Sequence, residues 1–475
     1  LESVLIFFHL IVICAVSLLL SLVARGQKNT IYTYIMAANA SKTSYLLAIS
    51  KRSFGSAAKQ AQACAEVKTT VLPNKLVVSA IETQLPLSRV SILFRAGSRY
   101  ETAENKGITN IIRSSAGLTT SGSTRFAITR NLQQLGANLS VTSDRETIAY
   151  TLEATTDKIE DGLKYLADVA TKSEFRPWEL SDNLPRLKYE LSVIPTQARV
   201  VDMVIEAAFR QGLGNSIFIK KRNISSISTE TLQHYVNSNY TTNRGAVVGV
   251  GIDYDTISAF AQNLGIQNGH GTDNKAKYYG GEIRRNKNLP FAHIAIAAEG
   301  SGLNTKDALA FAVLRYALGA NSSVKYGVGA GPLGKAVADS KEPLALTAFN
   351  TSFSDAGIFG VFVSTPAANA KQALEAAIKV LQSGSVTDAD VNRGKAMLKT
   401  AVLSSYESGE GAIEDIGNQA VLLGSVTPVS QIYSAIESVT TAQVQNAASK
   451  IASSKKSLAA YGNLEYTPYL DEVAK

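Results

Sequence analysis

A unit of about 200 residues that occurs twice constrains this chain more than any other feature. The stretch PLSRVSILFRAGS (86–98) is similar to PFAHIAIAAEGS (290–301), and ISTETLQ (227–233) is similar to VTTAQVQ (439–445). Each member of the second pair leads into a closing strand-like run, GAVVGVGID (245–253) and SLAAYGNLE (457–465). Pro86 and Pro290 lie 204 residues apart, and Ser228 and Thr440 lie 212 apart. Identities are sparse, but order and spacing agree at both ends, as expected of a repeated structural unit. Between the copies, GIQNGHGTDNKAK (265–277) is rich in glycine, asparagine and charge and reads as a linker.

Within the first copy, VKTTVLPNKLVVSAIE (67–82) holds two short strand-like runs around the turn signal Pro73-Asn74. SRVSILFRAGSR (88–99) alternates apolar and polar residues, the pattern of a half-buried strand. Helical stretches are expected at about 106–118 and 124–136, then a hairpin in NLSVTSDRETIAYTLEAT (138–155), then helices at 157–171 and after Pro177. The fold class is therefore α+β. We expect two homologous domains of similar size, 66–264 and 278–475, each a mostly antiparallel sheet packed with helices.

The N-terminal part reads differently. Residues 1–35 contain the apolar run LIFFHLIVICAVSLLLSLVA (5–24), which is long enough to span a bilayer as a membrane anchor. From Met36 onwards the residues are basic, hydroxylated or small, with no acid until Glu66. That composition suits a mitochondrial presequence. We expect 1–35 to be an upstream-translated segment and 36–54 to be the presequence, cut near RSFGS (52–56).

Composition excludes several classes. Hydrophobic content of 45% with 18% charged residues fits a protein with a real core. The formal net charge is +8, but residues 1–52 hold five basic residues against Glu2, so half of the excess lies there. No basic stripe with interleaved aromatics remains to bind nucleic acid. Cys14 and Cys64 are too few for a disulfide framework, and the four histidines (His9, His234, His270, His293) are scattered.

The chemical motifs are weak. GVGAGPLGKA (327–336) has phosphate-loop spacing up to Lys335, but Ala336 stands where a magnesium-binding hydroxyl is needed, so it reads as an ordinary flexible loop. VVGVGIDYD (247–255) lacks the third glycine of a dinucleotide fingerprint and reads as strand and turn. His293 reads as a packed or edge histidine on a strand, and His234 as a helix residue. Trp178 reads as a packing residue at a helix start. The acidic cluster ESGEGAIEDIG (407–417) reads as a solvated helix entry. No nucleophile–base set can be nominated.

One resemblance is specific. AGSRYE (96–101), Asn105, Gly107 and Asn110, followed by LGANLSVTSDRETIAYTLEA (135–154), resemble the pitrilysin/insulinase-type zinc peptidases. The resemblance is to their mitochondrial branch, which holds the processing peptidase subunits and the core proteins of the cytochrome bc1 complex. PLALTAFNTSFSDAGIFGVF (343–362), AVLSSYESGEGAIEDIGNQAVLLGS (401–425) and AAYGNLEYTPYLDE (459–472) are similar to the core-protein members. Active family members carry His-x-x-Glu-His shortly after the Ser-Arg-Tyr-Glu stretch, with a further Glu 75–80 residues on. Histidines at i and i+4 share one helix face and hold one zinc, while the Glu polarises its water.

Here the matching positions are Asn110, Arg113 and Ser114, with Glu190 near the distal one. Asn and Ser are poor zinc ligands beside imidazole. A cation about 4 Å from Zn²⁺ would cost on the order of 8 kcal/mol at an effective dielectric near 20. The resemblance thus implies a peptidase fold without zinc hydrolysis: a structural and assembly subunit of ubiquinol–cytochrome c reductase, peripheral on the matrix side of the inner mitochondrial membrane. It implies core protein 1, cytochrome b, cytochrome c1 and the iron–sulfur subunit as partners in a dimeric complex. It also implies that the haems and the iron–sulfur centre sit on those partners and that this chain binds no cofactor. The alternative within the branch is the catalytically silent α subunit of the processing peptidase.

Overall fold

The computed structural model describes residues 67–83, 85–224, 226–269, 271, 275–319 and 331–473. The expectations for 1–35 and 36–54, both cysteines, His9, His270 and residues 327–330 fall outside these.

The first half contains strands β1 (Val67–Val71), β2 (Val77–Ile81) and β3 (Leu87–Phe94), then helices α1 (Ile108–Ser114) and α2 (Arg125–Leu135). The hairpin β4 (Asn138–Ser143) and β5 (Ile148–Thr155) follows, then α3 (Ile159–Thr171), α4 (Pro177–Ser192), α5 (Thr196–Phe209) and α6 (Thr229–Asn239). Strand β6 (Gly245–Val250) and helix α7 (Tyr254–Gln262) close it. The second half runs β7 (Glu282–Asn286), β8 (Phe291–Glu299), α8 (Ala308–Leu318), α9 (Gly331–Ala338), β9 (Ala345–Ser352) and β10 (Gly357–Pro366). It continues with α10 (Ala370–Ser383), α11 (Asp388–Glu407), α12 (Glu410–Leu423), α13 (Val429–Ser438), α14 (Thr441–Ser453), β11 (Lys456–Gly462) and α15 (Leu470–Val473).

The repeat seen in the sequence is a repeat of topology. The first sheet has the order β1-β2-β6-β3-β5-β4 and the second β7-β11-β8-β10-β9. Without the extra edge strand β1, the two orders superpose strand for strand. The single parallel pair of each sheet also corresponds, β2 with β6 and β7 with β11. Each sheet covers one face with its own helices. Val90, Ile92, Phe94 and Val247 pack with Ile108 and Ile112 of α1, Leu166 of α3 and Leu232 of α6. Ile294, Ile296 and Leu458 pack with Phe311 of α8, Leu374 of α10 and Val444 of α14.

The other face of each sheet is covered by the opposite half. Helix α5 lays Val200, Met203, Val204 and Ala208 over Ala295, Ala297 and Ala459 of the second sheet. Helix α12 packs across β6, β3 and β2 of the first. Gly417 permits that approach, because a Cβ there would stand 2.8 Å from a Leu93 methyl carbon. Strand β3 is consequently buried on both faces, unlike the half-buried strand that its alternation suggests. Its polar residues are satisfied in place: Ser88 donates to the Gly251 carbonyl (2.5 Å), Ser91 pairs with Thr151 (3.0 Å), and Arg89 with Glu153 (2.6 Å).

Two further readings change. Residues from Gly331 onwards form α9 and not a loop, because Leu333 is buried in the second core. Trp178 is 61% exposed instead of packed: Pro177 opens α4, and the indole faces solvent with the Arg176 guanidinium 5.8 Å from its centroid. His293 lies on β8, a central strand, where it stacks on Phe362 and bonds Ser364 (3.0 Å). His234 is exposed on α6.

A buried charge network joins the halves. The Arg99 guanidinium donates to Glu146 (2.7 Å) and, through both terminal nitrogens, to Asp355 of the second half (2.7 and 2.6 Å). Glu146 also accepts from the Ser354 backbone N–H (2.8 Å) and hydroxyl (2.6 Å), and Asp355 accepts the Ala276 N–H (2.8 Å). The Arg99 and Glu146 side chains are only 6% and 4% exposed. Removing one partner of such a pair strands the other charge out of water. Arg99→Met is expected to destabilise the chain by about 3–5 kcal/mol in urea unfolding. Lys68→Met, which breaks the exposed pair with Glu82, should leave the midpoint unmoved.

Candidate functional site

The site grows from helix α1. Its N-terminus cannot begin on an ordinary residue: Gly107 sits at φ +93°, and a Cβ there would strike the Ile219 side chain. The orphan N–H groups of its first turn are met by Glu101, whose carboxylate accepts from Gly107 N (2.8 Å), Thr109 N (3.1 Å) and the Thr109 hydroxyl (2.6 Å). Glu101 is itself fixed by Asn215, which donates to its carbonyl (3.0 Å).

Helix α1 then presents Asn110, Arg113 and Ser114, and α4 presents Glu190 across from them. The structure brings Arg113 and Glu190 together at 2.8 Å. Glu190 also accepts from Arg186 one turn earlier (3.0 Å), so one carboxylate lies between two guanidinium groups. Burial would raise the Glu190 carboxyl, but hydrogen bonds from Arg113 and then Arg186 hold it below the usual carboxylate range. The Ser114 hydroxyl is turned away, donating to Ile111 O (3.0 Å), while Asn183 of α4 ties down the Ser114 carbonyl (2.7 Å). Asn110 is buried, and its side-chain oxygen has no hydrogen-bond partner. A cavity of about 360 Å³ opens beside these residues, walled by Val193, Ile194, Pro195 and Phe218. Among the described residues, no three His, Cys, Asp or Glu side chains converge as a metal-binding group.

The remaining candidates serve structure. Asp415 of the acidic cluster accepts from Tyr406 (2.5 Å) and Gln419 (2.8 Å), while Glu407, Glu410 and Glu414 face solvent. Residues 247–255 are the end of β6, a turn at Gly251 (φ +76°) and the start of α7, capped by Asp253. The sequence reading did not assign roles to Arg99, Glu101 or Glu146. The signal that could have found them is charge in SRYE (98–101) and SDRE (143–146), which lie beside the apolar runs of β3 and β5 and must be paired or capped if buried.

The family model described as "Insulinase (Peptidase family M16)" matches residues 76–221, and "Peptidase M16 inactive domain" matches 226–398. The chain is 38% identical to the cytochrome b-c1 complex subunit 2, mitochondrial, of Mus musculus, over 86% of this chain and 92% of that protein. A probable mitochondrial-processing peptidase subunit alpha-2 of Arabidopsis thaliana is 27% identical over 86% and 85%. A chain of the Candida albicans complex III2 shares the fold, with TM-score 0.73 and 20% identity over 86% of this chain and 98% of that one.

Burial pushes the Glu101 carboxyl up to about 7, against its three hydrogen bonds. The folded state therefore holds this proton more tightly than the unfolded chain, and stability falls as pH rises from about 4.5 to about 7, by about 3 kcal/mol at most. Urea midpoints between pH 4.5 and 7.5 should show this decline, and Glu101→Gln should flatten it. The insulinase-type peptidase models over both halves and the long match to the mouse protein lead to one conclusion: the chain belongs to the M16 family, in the branch that holds the mitochondrial cytochrome b-c1 complex subunit 2 proteins.

Proposed function

We propose that this chain is a non-catalytic structural core subunit of ubiquinol–cytochrome c oxidoreductase, respiratory complex III, and that it supports electron transport from ubiquinol to cytochrome c by scaffolding. The observation that carries the assignment is the 38% identity across 92% of a cytochrome b-c1 complex subunit 2. The chain is peripheral to the inner mitochondrial membrane, on its matrix side. In support, no helix among the described residues is long and apolar enough to cross a membrane. Its partners are core protein 1, cytochrome b, cytochrome c1 and the iron–sulfur subunit in a dimeric complex, and those partners carry the haems and the iron–sulfur centre.

The peptidase chemistry is absent for a physical reason. Zinc at this fold position would need imidazoles at 110 and 114 and a carboxylate at 113. Asn110 and Ser114 are poor ligands, and the Ser114 hydroxyl already bonds Ile111 O. The Arg113 guanidinium occupies the Glu190 carboxylate that would otherwise complete the set. These residues do not fit the metal. In its place Arg113 supplies a covalently attached positive charge, which keeps Glu190 paired and α1 tied to α4.

Gentle solubilisation of mitochondria and affinity isolation of the protein tests the assignment. The expected result is co-purifying b- and c-type haem absorbance with no presequence cleavage attributable to this chain. Presequence cleavage without haem would instead make it the silent α subunit of a processing peptidase.

A further inference from the structure

A groove of about 620 Å³ lies between helices α9 and α10, away from the Asn110–Glu190 site. Its volume is within the range of roughly 300–1,000 Å³ found for small-molecule sites. The floor is small and apolar: Ala336 of α9, Leu344 before β9, and Ala376 and Val380 of α10. Three exposed lysines stand on the rim, Lys335 of α9, Lys341 of the following turn and Lys379 of α10. None of the three has an ion-pair partner among the described residues. Asp339 and Glu342 share the rim, which leaves one positive charge in excess.

The lining selects a ligand class. Among the described residues it holds no aromatic side chain on which a nucleobase could stack. An extended peptide would bring a row of backbone N–H and C=O groups to a lining that has few groups to meet them: the Thr365, Ser340 and Ser383 hydroxyls already donate to Pro343 O (3.2 Å), Glu342 O (3.0 Å) and Val380 O (3.0 Å), which leaves the amides of Asn369 and Gln372. An acyl chain asks nothing of the apolar part of such a floor, and the rim lysines of α9, the following turn and α10 offer positive charge to an acidic head.

We propose that the α9–α10 groove binds a long-chain anionic amphiphile, with its acidic head on Lys335, Lys341 and Lys379 and its apolar chain along Ala336, Leu344, Ala376 and Val380. The head can be the carboxylate of a free fatty acid or the phosphate of a phospholipid, and both present the same chemistry to the groove. This site is independent of the scaffolding role and would stand if that role failed.

The test uses the full chain in its isolated native assembly, labelled with photoactivatable palmitate and, separately, photoactivatable phosphatidic acid. Crosslinks are expected in 331–344 and 372–383 with at least one probe, and the stronger probe identifies the source. Labelling should fall about tenfold or more both in the triple variant Lys335→Glu/Lys341→Glu/Lys379→Glu and in Ala376→Trp, which fills the floor. Unlabelled oleate should compete, and inorganic phosphate should not. Melting temperatures equal to wild type show that both variants fold, since all four substitutions are at the groove surface. Labelling that persists in either variant, maps elsewhere, or is displaced by inorganic phosphate or only by an acidic helical peptide would overturn the proposal.

Discussion

The exchange of helices between the halves is the constraint on which the rest of the molecule depends. Each sheet uses one face for its own helices and leaves the other apolar enough to need a cover. Helix α5 of the first half covers the second sheet, and α12 of the second half covers the first. Neither half can then present a complete core alone, because an uncovered sheet face would expose residues such as Ala295, Ala297 and Leu93. The reciprocity follows from the duplication: one unit used twice makes the same demand twice, and each copy answers the other's. The Arg99–Glu146–Asp355 network lies on the same junction, where charge is tolerated because every oxygen facing the guanidinium is a partner.

The region that carries Asn110, Arg113 and Ser114 is well supported. Helix α1 is fixed at its start by Glu101 and along its length by α4. The strand that precedes it, β3, is held on both faces. A peptidase would use such rigidity to position a metal. Here the same scaffold positions an Arg113–Glu190 ion pair. Packing alone requires the helix, since Ile108, Ile111 and Ile112 all enter the first core.

Much of this was legible in the sequence. The offsets of 204 and 212 residues map β3 onto β8 and β6 onto β11, so the repeat and the hairpins could be read from pattern and spacing. The positions 110, 113, 114 and 190 could be read from the family motif, and the structure places Arg113 against Glu190. What could not be read depends on long-range contact. The alternation in SRVSILFR points to one wet face, and only the arrival of α12 from more than 300 residues away makes that face dry. Trp178 looked like a packing residue because tryptophan usually is one, yet its place at the first turn of α4 turns it outward. The GPLGKA stretch looked like a loop because of its glycines, and burial of Leu333 makes it a helix. Nothing local in SRYE and SDRE shows that Arg99 and Glu146 reach Asp355 and Ser354 of the second half.

Under the proposed function, Arg113 stands where a zinc peptidase of this fold would hold the charge of its metal. Zinc analysis of the isolated native assembly, wild type beside Glu190→Gln, tests it most directly. No zinc assignable to this chain is expected in either form, with Glu190→Gln loosening α1 from α4 in hydrogen exchange. Stoichiometric zinc in the wild type that disappears with Glu190→Gln would contradict it.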